Sequence, residues 1–113
     1  MVQAKEIVQF LEKMKLLISQ GNYSFVKRDK NIQFLAENGW TIVDIKSFLL
    51  QLTIKDYYEG PVSDLDYSLG EIWIFKSRFE GQLLYIKLKL KRKENGEIIL
   101  ILSFHENENG GFR

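Results

Sequence analysis

Two segments near the end of the chain, Leu84–Lys93 (LYIKLKLKRK) and Glu97–His105 (EIILILSFH), flank Glu94-Asn95-Gly96 and constrain the fold more than any other feature. Polar and apolar residues alternate along the first with the period of a strand that buries one face. The intervening turn residues make the pair a hairpin. A two-residue loop that set Glu94 against Glu97 would face like charges and mix lysines with leucines. A three-residue loop with Gly96 in the left-handed position instead pairs Lys93 with Glu97. That register puts Ile86 by Phe104, Leu88 by Leu102 and Leu90 by Leu100 on an apolar face. The opposite face then carries Tyr85 beside His105, Lys87 beside Ser103, and Lys89 and Lys91 beside Ile101 and Ile99. The only histidine thus meets a tyrosine at the open end of a basic stripe. Cations, a phenol and an imidazole on one rigid surface are the groups that grip or cleave a phosphodiester.

Charge is distributed to match. The net charge of +1 steers the whole molecule only weakly. From Leu52 to Phe75 a single lysine faces five acids, whereas from Lys76 to Lys93 seven cations face one acid, which implies a basic face on a near-neutral protein. The plainer alternative is a solvated edge whose lysines deter aggregation. With 113 residues and 45% hydrophobic content, the chain suits one domain with a sizeable core. No run approaches the roughly 20 apolar residues of a membrane span. The start, MVQAKEIVQFLEKMKLL, carries charges throughout and does not read as a signal peptide. The lack of cysteine removes disulfides and thiolate metal sites and suits a reducing, cytoplasmic setting. One histidine removes His-rich metal sites, and Asp64 with Asp66 makes a poor metal pair without a third ligand. No metal or cofactor is expected.

Along the chain, residues 3–20 form an amphipathic helix through Ile7, Leu11, Met14 and Ile18, stopped at Gly21. Tyr23–Lys27 is a short strand. Asp29 caps a second helix closed by Gly39, and Thr41-Ile42-Val43-Asp44 is a capping box with Asp in place of Glu. The helix after it turns Ile42, Ile45, Phe48, Leu49 and Leu52 inward. Thr53–Asp66, with the only proline, reads as a structured loop in which Asp56 caps a turn. Strands follow at Glu71–Lys76, Leu83–Arg92 and Glu97–Phe104, with Trp73 and Phe75 on a core face. The polar residues 106–113 (ENENGGFR) read as a frayed tail. The expected fold is α+β: one domain spanning 1–113, with N-terminal helices packed on the apolar face of an antiparallel sheet.

LTIKDYYEGPVSD, EIWIFK, LYIKLKL and ILSFH, in that order and spacing, resemble the motility quorum-sensing regulator (MqsR) family of type II toxins over roughly residues 8–106. The resemblance implies a RelE-like fold and a metal-independent endoribonuclease, an mRNA interferase that cuts single-stranded mRNA. It implies a cognate antitoxin protein as partner; the ribosome is a further candidate partner. Matched position by position, the tyrosine of the family's Tyr-hydrophobic-Lys motif falls on Tyr85, with Lys87 two residues on. His105 follows the Ser-Phe of the last strand, where the best-known members carry lysine. The catalytic lysine after the aromatic doublet falls on Glu59, and the glutamine after the strand tryptophan on Ile74. Lys76 or Lys87 is the replacement cation the sequence offers.

The candidate catalytic residues are therefore Tyr85, Lys87 and His105, and the candidate RNA-binding residues are Lys76, Arg78, Lys89, Lys91 and Tyr57. His105 could move protons between the ribose 2′-hydroxyl and the leaving 5′-oxygen, or be a surface histidine at a strand end. Tyr85 could orient the phosphate or stack on a base, or be a half-buried strand aromatic. The alternative function is a non-catalytic RNA- or protein-binding regulator or inhibitor on the same fold, encoded on a mobile element.

Overall fold

The hairpin is the centre of the sheet. In the computed structural model, which describes residues 2–63 and 70–107, the order is α1 (Ala4–Ser19), β1 (Tyr23–Phe25), α2 (Asp29–Asn38), α3 (Ile42–Leu50), β2 (Tyr57–Ser63), β3 (Gly70–Phe79), β4 (Gln82–Lys93) and β5 (Gly96–Glu106). A single 3-10 turn, Ile54–Asp56, joins α3 to β2. The strands form one sheet in the order β1-β5-β4-β3-β2. The fold is α+β and the helices share one core with the sheet, as expected. The sheet is mixed rather than antiparallel, because β1 runs parallel to β5, with Tyr23, Ser24 and Phe25 opposite Ile99, Leu100 and Ile101. A parallel neighbour needs a crossover. Here α2, α3 and the three later strands all lie between the two in sequence.

The helix signals act where the residues stand. Thr41 accepts from Val43 N at 3.3 Å while its own backbone N donates to Asp44 at 2.8 Å, closing the capping box. Thr53 and Asp56 repeat the device: Thr53 N donates to Asp56 Oδ2 at 2.9 Å. Asp29 lies within the first turn of α2, and Arg28 takes the cap position without a side-chain bond. Ile7, Leu11, Met14 and Ile18 of α1 and Ile45 and Leu49 of α3 are buried against the sheet. Phe10 stacks on Trp73 with ring centroids 4.5 Å apart. At the other end of the core Trp40 meets Phe34, Phe48, Phe79 and Phe104, all within 6.0 Å.

Two expectations about the strands need correction. Tyr57–Ser63 is an edge strand with broken register on β3 and a cis Gly60-Pro61 bond, not a loop. β5 continues to Glu106, and Asn107 N donates to Leu83 O at 2.7 Å, so the tail begins later than expected. The Asp64–Asp66 pair and the rest of the tail, 108–113, lie outside the described residues.

The hairpin register differs in an instructive way. Lys93 pairs with Gly96 and Arg92 with Glu97, leaving the two residues Glu94 and Asn95 at the tip. Gly96 carries a φ of 134°, open only to glycine, so the turn residue is as expected although the loop is one residue shorter. Leu90 consequently faces Ile99, and Leu88 faces Ile101. A bulge then places an extra residue, Leu102, on β5, after which Lys87 faces Ser103, Ile86 faces Phe104 and Tyr85 faces His105. Ile99 and Ile101 are therefore fully buried in place of Leu100 and Leu102, which turn to the other face. The shorter loop and the bulge cancel, and His105 still arrives beside Tyr85.

Asn31 of α2 holds the bulge. β1 covers β5 only as far as Ile101; beyond it Asn31 stands in for the missing strand. Its Nδ2 donates to Leu102 O at 3.0 Å and to Val26 O at 2.8 Å, and its Oδ1 accepts from Phe104 N at 2.9 Å. The side chain is wholly buried. Asn31→Leu keeps much of the volume but strands three buried backbone groups. It should lower unfolding stability by at least about 2 kcal/mol, read as a shift of the urea midpoint, whereas Gln33→Ala on the exposed face of α2 should leave the midpoint nearly unchanged.

Candidate active site

Alternation along β4 and its neighbours sorts the site onto the sheet face opposite the helices. Tyr85, Lys87, Lys89 and Lys91 point there from β4, Lys76 and Arg78 from β3, and Ser103 and His105 from β5. Lys76 lies opposite Tyr85 and puts its ammonium 3.8 Å from the centroid of the Tyr58 ring. The Tyr85 and His105 rings stack with centroids 5.7 Å apart and an interplanar angle of 28°.

His105 is oriented by its own strand end. Its Nδ1 lies 2.9 Å from the carbonyl oxygen of Glu106. A carbonyl can only accept, so Nδ1 carries the hydrogen in this bond and the neutral ring keeps its lone pair on Nε2. One nitrogen is held while the other is left as a base. Tyr85 is tuned oppositely. Burial first, then the negative charge of Glu59 and the nearby Tyr58, raise its pKa above the ordinary value of 10.0. The phenol therefore remains a neutral donor throughout the physiological range.

The α2 entrance supplies cations that sequence reasoning missed. Arg28, Asp29 and Lys30 come up beside Tyr85, Ser103 and His105 to form a groove of about 550 Å³. The charged run Lys27-Arg28-Asp29-Lys30 was visible in the sequence. Its approach to the hairpin depends on Asn31 docking on the β5 bulge. Among the described residues no group of three or more His, Asp or Glu side chains is placed to hold a metal ion.

Two of the expected RNA-binding residues are placed otherwise. Tyr57 pairs with Phe75 on the helix-covered face; its ring packs edge-on against Trp73 and Phe75, and its hydroxyl donates to Gly60 O. Tyr58, the next residue along β2, is the exposed one. A strand reading of this segment would have separated the two by alternation. Lys89 is only 4% exposed. Its stem lies so close to Gly70 that a Cβ there would come within 2.9 Å of Lys89 Cε, and its ammonium is not open to an incoming phosphate. The neighbouring Ile72 and Ile74 are buried on the same face, so the stripe is interrupted by a covered apolar stretch. Lys76, Lys87 and Lys91 remain half-exposed and Arg78 exposed. Glu59, exposed on β2 opposite Ile74, acts electrostatically on Tyr85.

Ionisation of Tyr85 provides a direct check. Ultraviolet difference titration of the wild type against Tyr85→Phe should place this phenol above the ordinary tyrosine value, and Glu59→Gln should bring it part of the way back. The folded chain holds a proton that the unfolded chain releases, so this group's contribution to stability should fall as pH climbs past 10.

Comparison with protein-family models, with curated proteins and with solved structures returns no match to this chain.

Proposed function

We propose that the chain is an endoribonuclease toxin of a type II toxin–antitoxin system, with a RelE-like fold, acting in the cytoplasm on single-stranded mRNA. The observation that carries this reading is His105: an imidazole tethered through Nδ1 to the Glu106 carbonyl, stacked on a neutral phenol, at the mouth of a cation-lined groove. Strand cleavage by transesterification needs these parts and no metal or cofactor. The ribose 2′-oxygen attacks the adjacent phosphorus and gives up its proton to Nε2. The bond from phosphorus to the 5′-oxygen breaks, leaving a cyclic 2′,3′-phosphate, and the leaving oxygen takes a proton from the imidazolium. Tyr85 donates to a non-bridging oxygen, and Lys87, Lys76 and Arg28 offset the charge gathered on phosphorus.

The resemblance to the MqsR family supports the same reading and adds a cognate antitoxin as partner. Glu59 and Ile74 replace a lysine and a glutamine of that family's site. In the proposed mechanism their work passes to groups from other elements, Arg28 and Lys76. Ile74, only 8% exposed, cannot contact a substrate, which is the specific observation favouring a second reading: a non-catalytic RNA-binding regulator on the same scaffold.

Expression in a bacterial host should arrest growth, and purified protein should cut unstructured RNA to cyclic-phosphate ends with chelator present. His105→Ala should slow cleavage by about 10²–10⁴-fold, and Tyr85→Phe should also slow it, with thermal melts near wild type. Undiminished cleavage in both variants would remove this site from consideration. Binding without cleavage in the wild type would favour the regulator.

Binding itself should depend on salt. With about three phosphates met by Arg28, Lys76 and Lys87, the logarithm of affinity should fall with log salt at a slope near −2. Fluorescence anisotropy should show Lys87→Glu weakening binding and flattening that slope, while Lys5→Glu on α1 changes neither.

A further inference from the structure

A second groove adjoins the first, and its chemistry differs. It holds about 620 Å³ between the exposed face of α2 and the far end of the β4–β5 hairpin, and Lys30, His105 and Asn107 line both grooves. The two grooves thus meet at these three residues, His105 among them. With Lys30 common to both, the first groove adds Arg28 and Asp29 and stays net positive, whereas the second adds Glu37 and Glu106 with the amides Gln33, Asn38 and Gln82 and is net negative. Those amides already use donors internally. Gln33 Nε2 donates to Glu37 at 2.9 Å, Asn38 Nδ2 to the Phe34 carbonyl at 3.0 Å, and Gln82 Nε2 to Asn38 Oδ1 at 3.2 Å. Each amide nitrogen keeps a second N–H, so the amides present donors and acceptors alike, and the groove's bias toward accepting comes from the Glu37 and Glu106 carboxylates.

Two carboxylates against the one shared lysine disfavour phosphate and attract N–H donors. Bases of a single strand can be splayed out and read on their edges, and a carboxylate accepts from an exocyclic amine such as N4 of cytosine. We propose that this second groove is a base-recognition subsite, holding the nucleobase next to the scissile phosphate and selecting bases that carry an exocyclic amine over uracil. Uracil, with no exocyclic amine, would set its O4 carbonyl oxygen where cytosine places the N4 donors. Glu37 and Glu106 are the specificity residues, with Gln33 holding the Glu37 carboxylate in place from one helical turn earlier. The inference rests on the reading of His105 as the reaction centre, because His105 fixes which nucleotide sits beside the bond that breaks.

The test uses the full chain and eight-nucleotide 2′-fluoro strands UUUXUUUU, which lack the attacking hydroxyl, with X as each of the four bases. Strands with C, A or G at X should bind about tenfold tighter than the all-uracil strand. Glu37→Gln should erase the difference, weakening the strands with C, A or G at X while the all-uracil strand binds as well as before or better, and Glu106→Gln, at the other wall, should reduce it independently. Equal affinity for all four strands, an unaltered preference in both variants, or loss of all-uracil binding in Glu37→Gln would each overturn the proposal. The last result would mean that the groove holds the backbone. Cleavage by His105→Ala is measured separately. Cleavage that persists there, with the preference still dependent on Glu37, rejects the catalytic reading and keeps the subsite. Lost cleavage with no base preference does the reverse.

Discussion

Everything on the working face of this sheet depends on one buried amide. β5 runs past the end of its short parallel neighbour, and a strand edge left in the interior would strand backbone donors and acceptors at considerable cost. Asn31 resolves this by offering one acceptor and one donor group in the geometry of a missing strand, joining Val26, Leu102 and Phe104. The amide also accommodates an irregular stretch of β5 in a way that a regular strand could not. The bulge at Leu102 and the docking of α2 are therefore one event. Without the bulge, alternation along β5 would turn His105 toward the helices, or Ile99 and Ile101 away from them.

The same event sets the electrostatics. By bringing the start of α2 to the end of the hairpin, it adds Arg28 and Lys30 to a face whose own lysines are less accessible than their number suggests. Lys89 lies under cover, and Ile72 and Ile74 divide the stripe. Apart from Lys91 near the turn, the accessible cations of this face gather at the Tyr85–His105 end. There the two aromatic groups differ usefully: Tyr85 is held neutral by burial and by the Glu59 carboxylate, while His105 has one nitrogen committed and one open. A donor that keeps its proton beside a base with a defined lone pair is the arrangement that general acid–base chemistry requires.

The depression around His105 is also divided by sign. The Arg28 side, with Asp29 and the shared Lys30, is net positive, and the Glu37–Glu106 side is net negative. A nucleotide is divided in the same way, with an anionic phosphate and a neutral base that carries N–H donors. In the function proposed above, that match would orient a strand without any long-range field, as a net charge of only +1 requires.

Local chemistry decided much of this in advance. The capping boxes at Thr41 and Thr53, the stripe of α1, the inward Trp73 and Phe75 and the turn at Gly96 are short-range effects, and each is readable from neighbours within a few residues. The pairing of Tyr85 with His105 was legible too, but by a register in which a longer loop stood in for a bulge. Alternation along LYIKLKLKRK is strong, whereas EIILILSFH is apolar on both faces through Leu102, so nothing within that strand locates an extra residue. Tyr57 was misplaced because a broken, proline-bearing edge strand looks like a loop until β3 pairs with it. The parallel seat of β1, the bulge, the burial of Lys89 and the arrival of Arg28 beside His105 were settled only by tertiary structure. Each depends on a contact between segments far apart in the chain, most of all on Asn31 reaching Leu102 and Phe104. The preference of a side chain can be read from its neighbours; the partner that satisfies it cannot.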